Sequence, residues 1–107
     1  MRSWSLLSGL ALAACSAGLP TATSRDVAIA SQRWPDATET RLNAGRSLYV
    51  KTCAGCHSLK APAEVPPTQW AEEIREMRQE HGVALSDDEA ALMAQYLFSV
   101  GSRMRGE

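Results

Sequence analysis

Basic clusters are missing from this sequence. Lys and Arg number 11 against 12 Asp and Glu, dispersed along 107 residues, for a formal charge of −1. Nucleic acid and anionic membrane surfaces both select for a basic patch, so neither is the expected main partner, and nucleic acid is set aside altogether. Aromatic side chains are scarce as well, with three Trp, two Tyr and one Phe. A chain of this length accommodates one small domain, and so few rings make a thin core for it. Cysteine is limited to three, an odd number that does not build a disulfide framework. No apolar run reaches the roughly 20 residues of a membrane-spanning helix. No sustained β-branched alternation follows residue 34, which argues against a sheet.

The apolar stretch that is present lies at the start. Arg2 precedes Leu6 to Ala14, a length that fits the hydrophobic region of an export signal. It closes on Leu12-Ala13-Ala14-Cys15, which resembles the lipobox of bacterial lipoproteins. That resemblance implies a lipoprotein signal peptide over residues 1–14, removed after the Cys15 thiol has received a diacylglycerol, with Cys15 then acylated as the first residue of the mature chain. The competing reading is an ordinary signal peptide with Cys15 incidental. Several acyl chains anchor stably where one binds marginally, so the expected location is exported, on the periplasmic side, lipid-anchored to membrane. Ser16 in place of aspartate after Cys15 favours the outer membrane by the sorting rule of enteric bacteria.

Without the leader the charge falls to about −2, because Arg2 is lost and acylation removes the α-amino charge. The remaining aromatics are Trp34, Tyr49, Trp70, Tyr96 and Phe98. Residues 15–35 read as a lipidated tether, small and polar without a sustained period. Val27-Ala28-Ile29 is the piece of it able to form a short strand or pack on the domain. As a flexible coil of about 18 residues, Ser16 to Arg33 would reach roughly 20 to 25 Å. The domain itself is assigned to residues 36–107.

Three helices are expected there. The first opens at Asp36 with Glu39 three residues later, as in a capping box, and carries Leu42, Gly45, Leu48 or Tyr49, and Thr52 on one face to about Lys51. The second follows Pro66-Pro67 with Thr68 as N-cap, bears the stripe Trp70, Ile74, Met77 and His81, and stops at Gly82. The third starts at Ser86-Asp87-Asp88-Glu89, with Leu85 able to staple onto Ala90. It presents Met93, Tyr96, Leu97 and Val100 to the core and ends at Gly101. The domain is therefore expected to be all-α.

The chemistry sits between the first two helices, in Cys53-Ala54-Gly55-Cys56-His57. Two thiols three positions apart match the two vinyl groups of haem b, and the adjacent imidazole is placed to bind the iron. This is the c-type haem attachment pattern. A thioredoxin-like dithiol would need a βαβ setting, and a four-ligand zinc site would need more ligands than His81 adds. A covalent haem c also supplies the apolar mass that the sparse core lacks.

With Gly45 and Tyr49 ahead of that pentapeptide, and Leu92, Tyr96 and Leu97 in the last helix, residues 40 to 100 resemble class I cytochromes c. The resemblance implies a small domain wrapped around one haem, with Cys53 and Cys56 as thioethers and His57 as proximal iron ligand. It also implies a close crossing of Gly45 against Tyr96, and a proline carbonyl, from Pro62 or Pro66, accepting the free N–H of His57. The sequence departs from the family pattern at the sixth ligand, because no loop methionine lies between Cys56 and the last helix. Met77, inside the second helix, is the favoured distal ligand, with His81 as alternative. Met93 and Met104 are weaker rivals, the first a core residue and the second exposed in the tail. Tryptophan followed by methionine seven residues later and a capped helix ending in Tyr-Leu resembles a subgroup of small bacterial monohaem cytochromes.

These readings point to a one-electron carrier between redox partners such as a dehydrogenase, an oxidase or reductase, or another cytochrome. No acid/base pair or substrate pocket suggests an enzyme. The alternative is a haem-based module for binding or sensing small ligands, with an open or displaceable sixth position. Glu72, Glu73, Glu76 and Glu80, with Arg75 and Arg78, read as the solvated face of the second helix, with a docking role as the competing reading.

Overall fold

The computed structural model describes residues 19–53 and 59–106. Every regular element among them is helical: α1 (Ser24–Ser31), α2 (Glu39–Cys53), α3 (Trp70–Glu80) and α4 (Asp87–Arg105), with 3₁₀ turns at Pro62–Glu64 and Pro67–Gln69. The all-α expectation stands. None of the described helices is long and apolar enough to cross a membrane.

α4 is the spine, because α1, α2, α3 and both 3₁₀ turns pack on it. Its start follows from local chemistry. Ser86 Oγ accepts from the Glu89 N–H at 3.1 Å while Glu89 Oε1 accepts from the Ser86 N–H at 2.9 Å, so two otherwise unpaired groups satisfy each other. The stripe Met93, Tyr96, Leu97 and Val100 is fully buried at 0% exposure, as its helical spacing requires. α4 does not end at Gly101. It runs to Arg105, where Gly106 takes a left-handed φ of 76° and closes it. Gly101 serves packing instead, since a Cβ there would lie 2.7 Å from the Pro62 carbonyl oxygen.

α2 crosses α4 where a side chain would not fit. A Cβ on Gly45 would sit 2.1 Å from the Leu92 carbonyl oxygen and 3.1 Å from Tyr96 Cβ, so the two backbones are in direct contact and the expected Gly45 to Tyr96 approach is present. The cap of α2 differs from expectation. Asp36 lies in the turn closed by the Ala37 N–H on the Trp34 carbonyl, and Thr38 Oγ1 accepts from the Arg41 N–H at 3.1 Å. Asp36 instead pairs with Arg41 at 3.1 Å. In α3, Pro66 and Pro67 impose a 3₁₀ turn in which the Gln69 N–H bonds the Pro66 carbonyl, so Gln69 rather than Thr68 precedes the helix. Gly82, at φ 65°, ends it as expected.

The segment assigned to a tether is, from Leu19 onward, part of the globule. Leu19 and Ala22 are 5% and 1% exposed, and Ala30 of α1 is 0%. Four hydrogen bonds hold the approach to α1: Arg46 Nε to the Leu19 carbonyl (2.9 Å), Tyr96 Oη to the Pro20 carbonyl (2.6 Å), and a reciprocal pair between Ala22 and the Asn43 amide (2.8 and 3.4 Å). Asp26, wholly buried, accepts from the Thr23 N–H at α1's start and from Arg103 Nε of α4 at 2.6 Å. Small and polar side chains do the burying here, which is why hydrophobic periodicity passes over this stretch. On the same flank Gln95 Oε1 and Ser99 Oγ are buried without a hydrogen-bond partner among the described residues.

Candidate functional site

Cys53 is the last residue of α2, so the attachment motif begins where that helix stops. Cys15, Cys56 and His57 lie outside the described residues. The chain is held firmly on both sides of the motif. One turn before Cys53, Tyr49 is 3% exposed, and its hydroxyl donates to the Lys60 carbonyl at 2.7 Å. A side chain of α2 thus ties Lys60 back to the helix that ends at Cys53.

Tyr49 also meets α3. Its ring stands edge-on to Trp70, with centroids 5.8 Å apart and planes at 78°. Trp70 Nε1 donates to the Pro62 carbonyl at 2.9 Å in a buried bond. That carbonyl abuts α4 at Gly101. A continuous set of contacts therefore runs from α2 through Tyr49 and Trp70 to Pro62 and α4, and it sets the position of α3 relative to the motif. Pro62 and Pro66 carbonyls both already accept, from Trp70 Nε1 and from the Gln69 N–H. The bond expected from His57 to one of them lies outside the described residues.

Along α3 the predicted stripe grades from core to solvent. Trp70 and Ile74 are 2% and 3% exposed, Met77 is half-buried against the core cluster, and His81 is exposed just past the helix end. Met93 is a core residue at 0%, while Met104 is 44% exposed. Of the four candidates for a distal ligand, Met77 alone combines partial burial with a place on the Trp70 stripe.

The surroundings of Tyr49 and Trp70 are apolar: Val65, Trp70 and Ile74 belong to the buried core, and Leu59 and Met77 pack half-buried against it. The polar tips of Tyr49 and Trp70 are satisfied by backbone carbonyls, so they present no unmet donor to an apolar ligand. Met77 contributes a soft thioether donor, suited to iron. The Lys60 carbonyl could not have been found by sequence reasoning, because a main-chain acceptor carries no residue signature; the Pro62 carbonyl was expected as an acceptor, but from His57 and not from Trp70. Tyr49, one turn ahead of Cys53, was visible as a face residue and as one of the positions that carry the resemblance, without its acceptor.

The outer surface of α3 is charged and paired. Lys60 and Glu73 meet at 2.9 Å, which raises the Lys60 ammonium pKa. Arg75 bonds Glu72 and Gln79, holding the Glu72 carboxyl below its usual range, and Arg78 reaches Asp87 at 2.9 Å. These are exposed or half-exposed pairs worth little to stability, as the solvated-face reading anticipates.

Comparison of the chain with protein-family models, with curated proteins and with solved structures found no match.

Proposed function

We propose that this protein is a membrane-anchored periplasmic cytochrome of c type that carries one electron at a time between redox partners. The observation that carries the reading is the sequence Cys53-Ala54-Gly55-Cys56-His57, which starts at the end of a helix that crosses the last helix at Gly45 and packs through Tyr49 on Trp70, in the helix that bears the half-buried Met77. Cys53 and Cys56 would hold haem c through thioethers, His57 would bind its iron, and Met77 would be the distal ligand. When bound, the haem supplies a one-electron iron couple, and the chain supplies its ligands and surroundings.

The roles of the chain's own residues follow from their contacts. Tyr49 ties Lys60 back to α2 and so holds the chain after the motif to the helix before it. Trp70, locked by Pro62, orients α3 and with it Met77. A thioether from Met77 favours the ferrous state and sets a higher potential than a second imidazole would. Trp70, Ile74 and Val65 are buried, so the packing around Met77 is apolar, and an apolar surrounding would tune the potential of a haem held there.

Expression of the full chain with a c-type maturation system tests the reading. Covalently bound haem, a ferric spectrum with the weak red charge-transfer band of iron–thioether bonding, and slow uptake of carbon monoxide by the ferrous form are expected. Colourless protein would overturn the cytochrome assignment. Absence of the band with rapid carbon monoxide uptake would turn the reading to a small-ligand binding or sensing module.

A further inference from the structure

We infer that the domain rests directly on the phospholipid headgroup layer through the face that carries Leu19, and does not swing on a tether above it. The inference builds on the proposed lipidation of Cys15. Its own observation is the docking of the chain immediately afterwards. Leu19 is buried, its carbonyl is held by Arg46 of α2, and the next residue's carbonyl is held by Tyr96 of α4. Ala22 is locked to Asn43, and Asp26 is fully buried on Arg103. The rigid body therefore begins four residues after the lipid-bearing cysteine.

Covalent geometry does the rest. Four residues, even fully extended, span at most about 14 Å, whatever conformation they take. The headgroup region takes up roughly 6 to 8 Å of that on each side of a bilayer, so little is left to separate protein from lipid. An 18-residue coil would have set the domain some 20 to 25 Å away with free rotation. The side chains that follow Leu19 on this face are Thr21, Thr23, Ser24 and Arg25, all exposed and polar, and the half-buried Arg46 adds a second cation at the Leu19 carbonyl. Such a surface tolerates contact with headgroups without inserting into the hydrocarbon. A carrier held this way exchanges electrons with partners held at the same membrane, because its height and facing are set by the anchor.

The test uses the full chain, matured and purified from membranes, reconstituted in a supported phosphatidylethanolamine/phosphatidylglycerol bilayer and examined by neutron reflectometry. Intact mass spectrometry first reports the acyl chains on Cys15. With acylation present, protein density should begin within about 8 Å of the headgroup layer, which is what the extended leash leaves once the headgroup region is crossed. Insertion of twelve Gly/Ser residues between Gly18 and Leu19 should lift the layer by roughly 10 Å or more, as a coil of that length allows. Acylated protein with a wider water gap, or a spacer variant at unchanged height, overturns the inference and leaves the lipid anchor intact. Absence of acylation overturns both.

Discussion

Asp26 and Arg103 meet across 77 positions of sequence in a two-bonded ion pair, Nε to Oδ1 at 2.6 Å and Nη2 to Oδ2 at 3.2 Å. The carboxylate is completely buried and the guanidinium side chain is 24% exposed. The same carboxylate accepts from the Thr23 N–H, so one side chain both starts α1 and fastens it to α4. The Asp26 carboxylate in turn raises the Arg103 pKa, and this cation remains charged throughout the working pH range.

Asp26→Ala should therefore lower stability by about 2–3 kcal/mol, toward the lower end for a broken buried pair because Arg103 retains some access to water. Urea denaturation measures the change, and hydrogen exchange should show lost protection concentrated in α1. A loss spread evenly over α2 and α4 would mean that the pair does not dock α1 in particular.

Two glycines make opposite demands on helix propensity and packing. Gly45→Ala gains about 1 kcal/mol of helix propensity yet places a methyl against the Leu92 carbonyl, so a net destabilisation of about 2–3 kcal/mol is expected. Gly101→Ala, facing Pro62 at a less severe 2.7 Å, should cost less. Equal or reversed effects in thermal or urea melts would contradict the crossing geometry described above.

Tyr96 makes stability depend on high pH. Burial pushes its hydroxyl up to about 12, against the opposing influence of Arg46. The unfolded side chain titrates near 10, so the unfolded state gains from losing the proton first, and the folded state's advantage is intact below pH ~10 and lost as pH rises toward 12. The loss should be on the order of 2 kcal/mol. One tyrosine should titrate late in tyrosinate difference spectra, and Tyr96→Phe should abolish that late step while leaving the Pro20 carbonyl without its donor.

Met77→Ala tests the distal ligand. Covalent haem should be retained, the reduction potential should fall, and carbon monoxide should bind the ferrous form quickly, as measured by potentiometry and optical spectra. An unchanged spectrum would move the ligand elsewhere.

Cys15→Ala should release the domain from the membrane or block leader processing, with a normal haem spectrum. A processed variant that stays on the membrane would count against lipidation. The outcome is read from fractionation and the N-terminal mass.

Where the chain's signals are local, the sequence already specified the result. Ser86 and Glu89 cap α4 because both partners lie within one turn, and the buried stripe from Met93 to Val100 follows from a helical period that only one face can satisfy. The Gly45 crossing was expected only through the resemblance to class I cytochromes c, and a glycine permits it because it has no Cβ to hold the backbones apart. The attachment motif is likewise chemistry written in consecutive residues.

The rest depended on partners distant in sequence. α1 is buried through Ala30 and one aspartate, whose worth exists only once Arg103 stands opposite, so its composition mimicked a linker. Gly101 ends no helix because the Pro62 carbonyl lies where its side chain would be, a coincidence 39 positions apart that no local rule encodes. Tyr49 finds its acceptor on the main chain of Lys60, which has no sequence signature at all. Residues 53 to 57 carry the proposed haem chemistry by themselves; where the packed body begins, and what braces the chain on either side of that motif, were decided by side chains that meet only after the helices have packed.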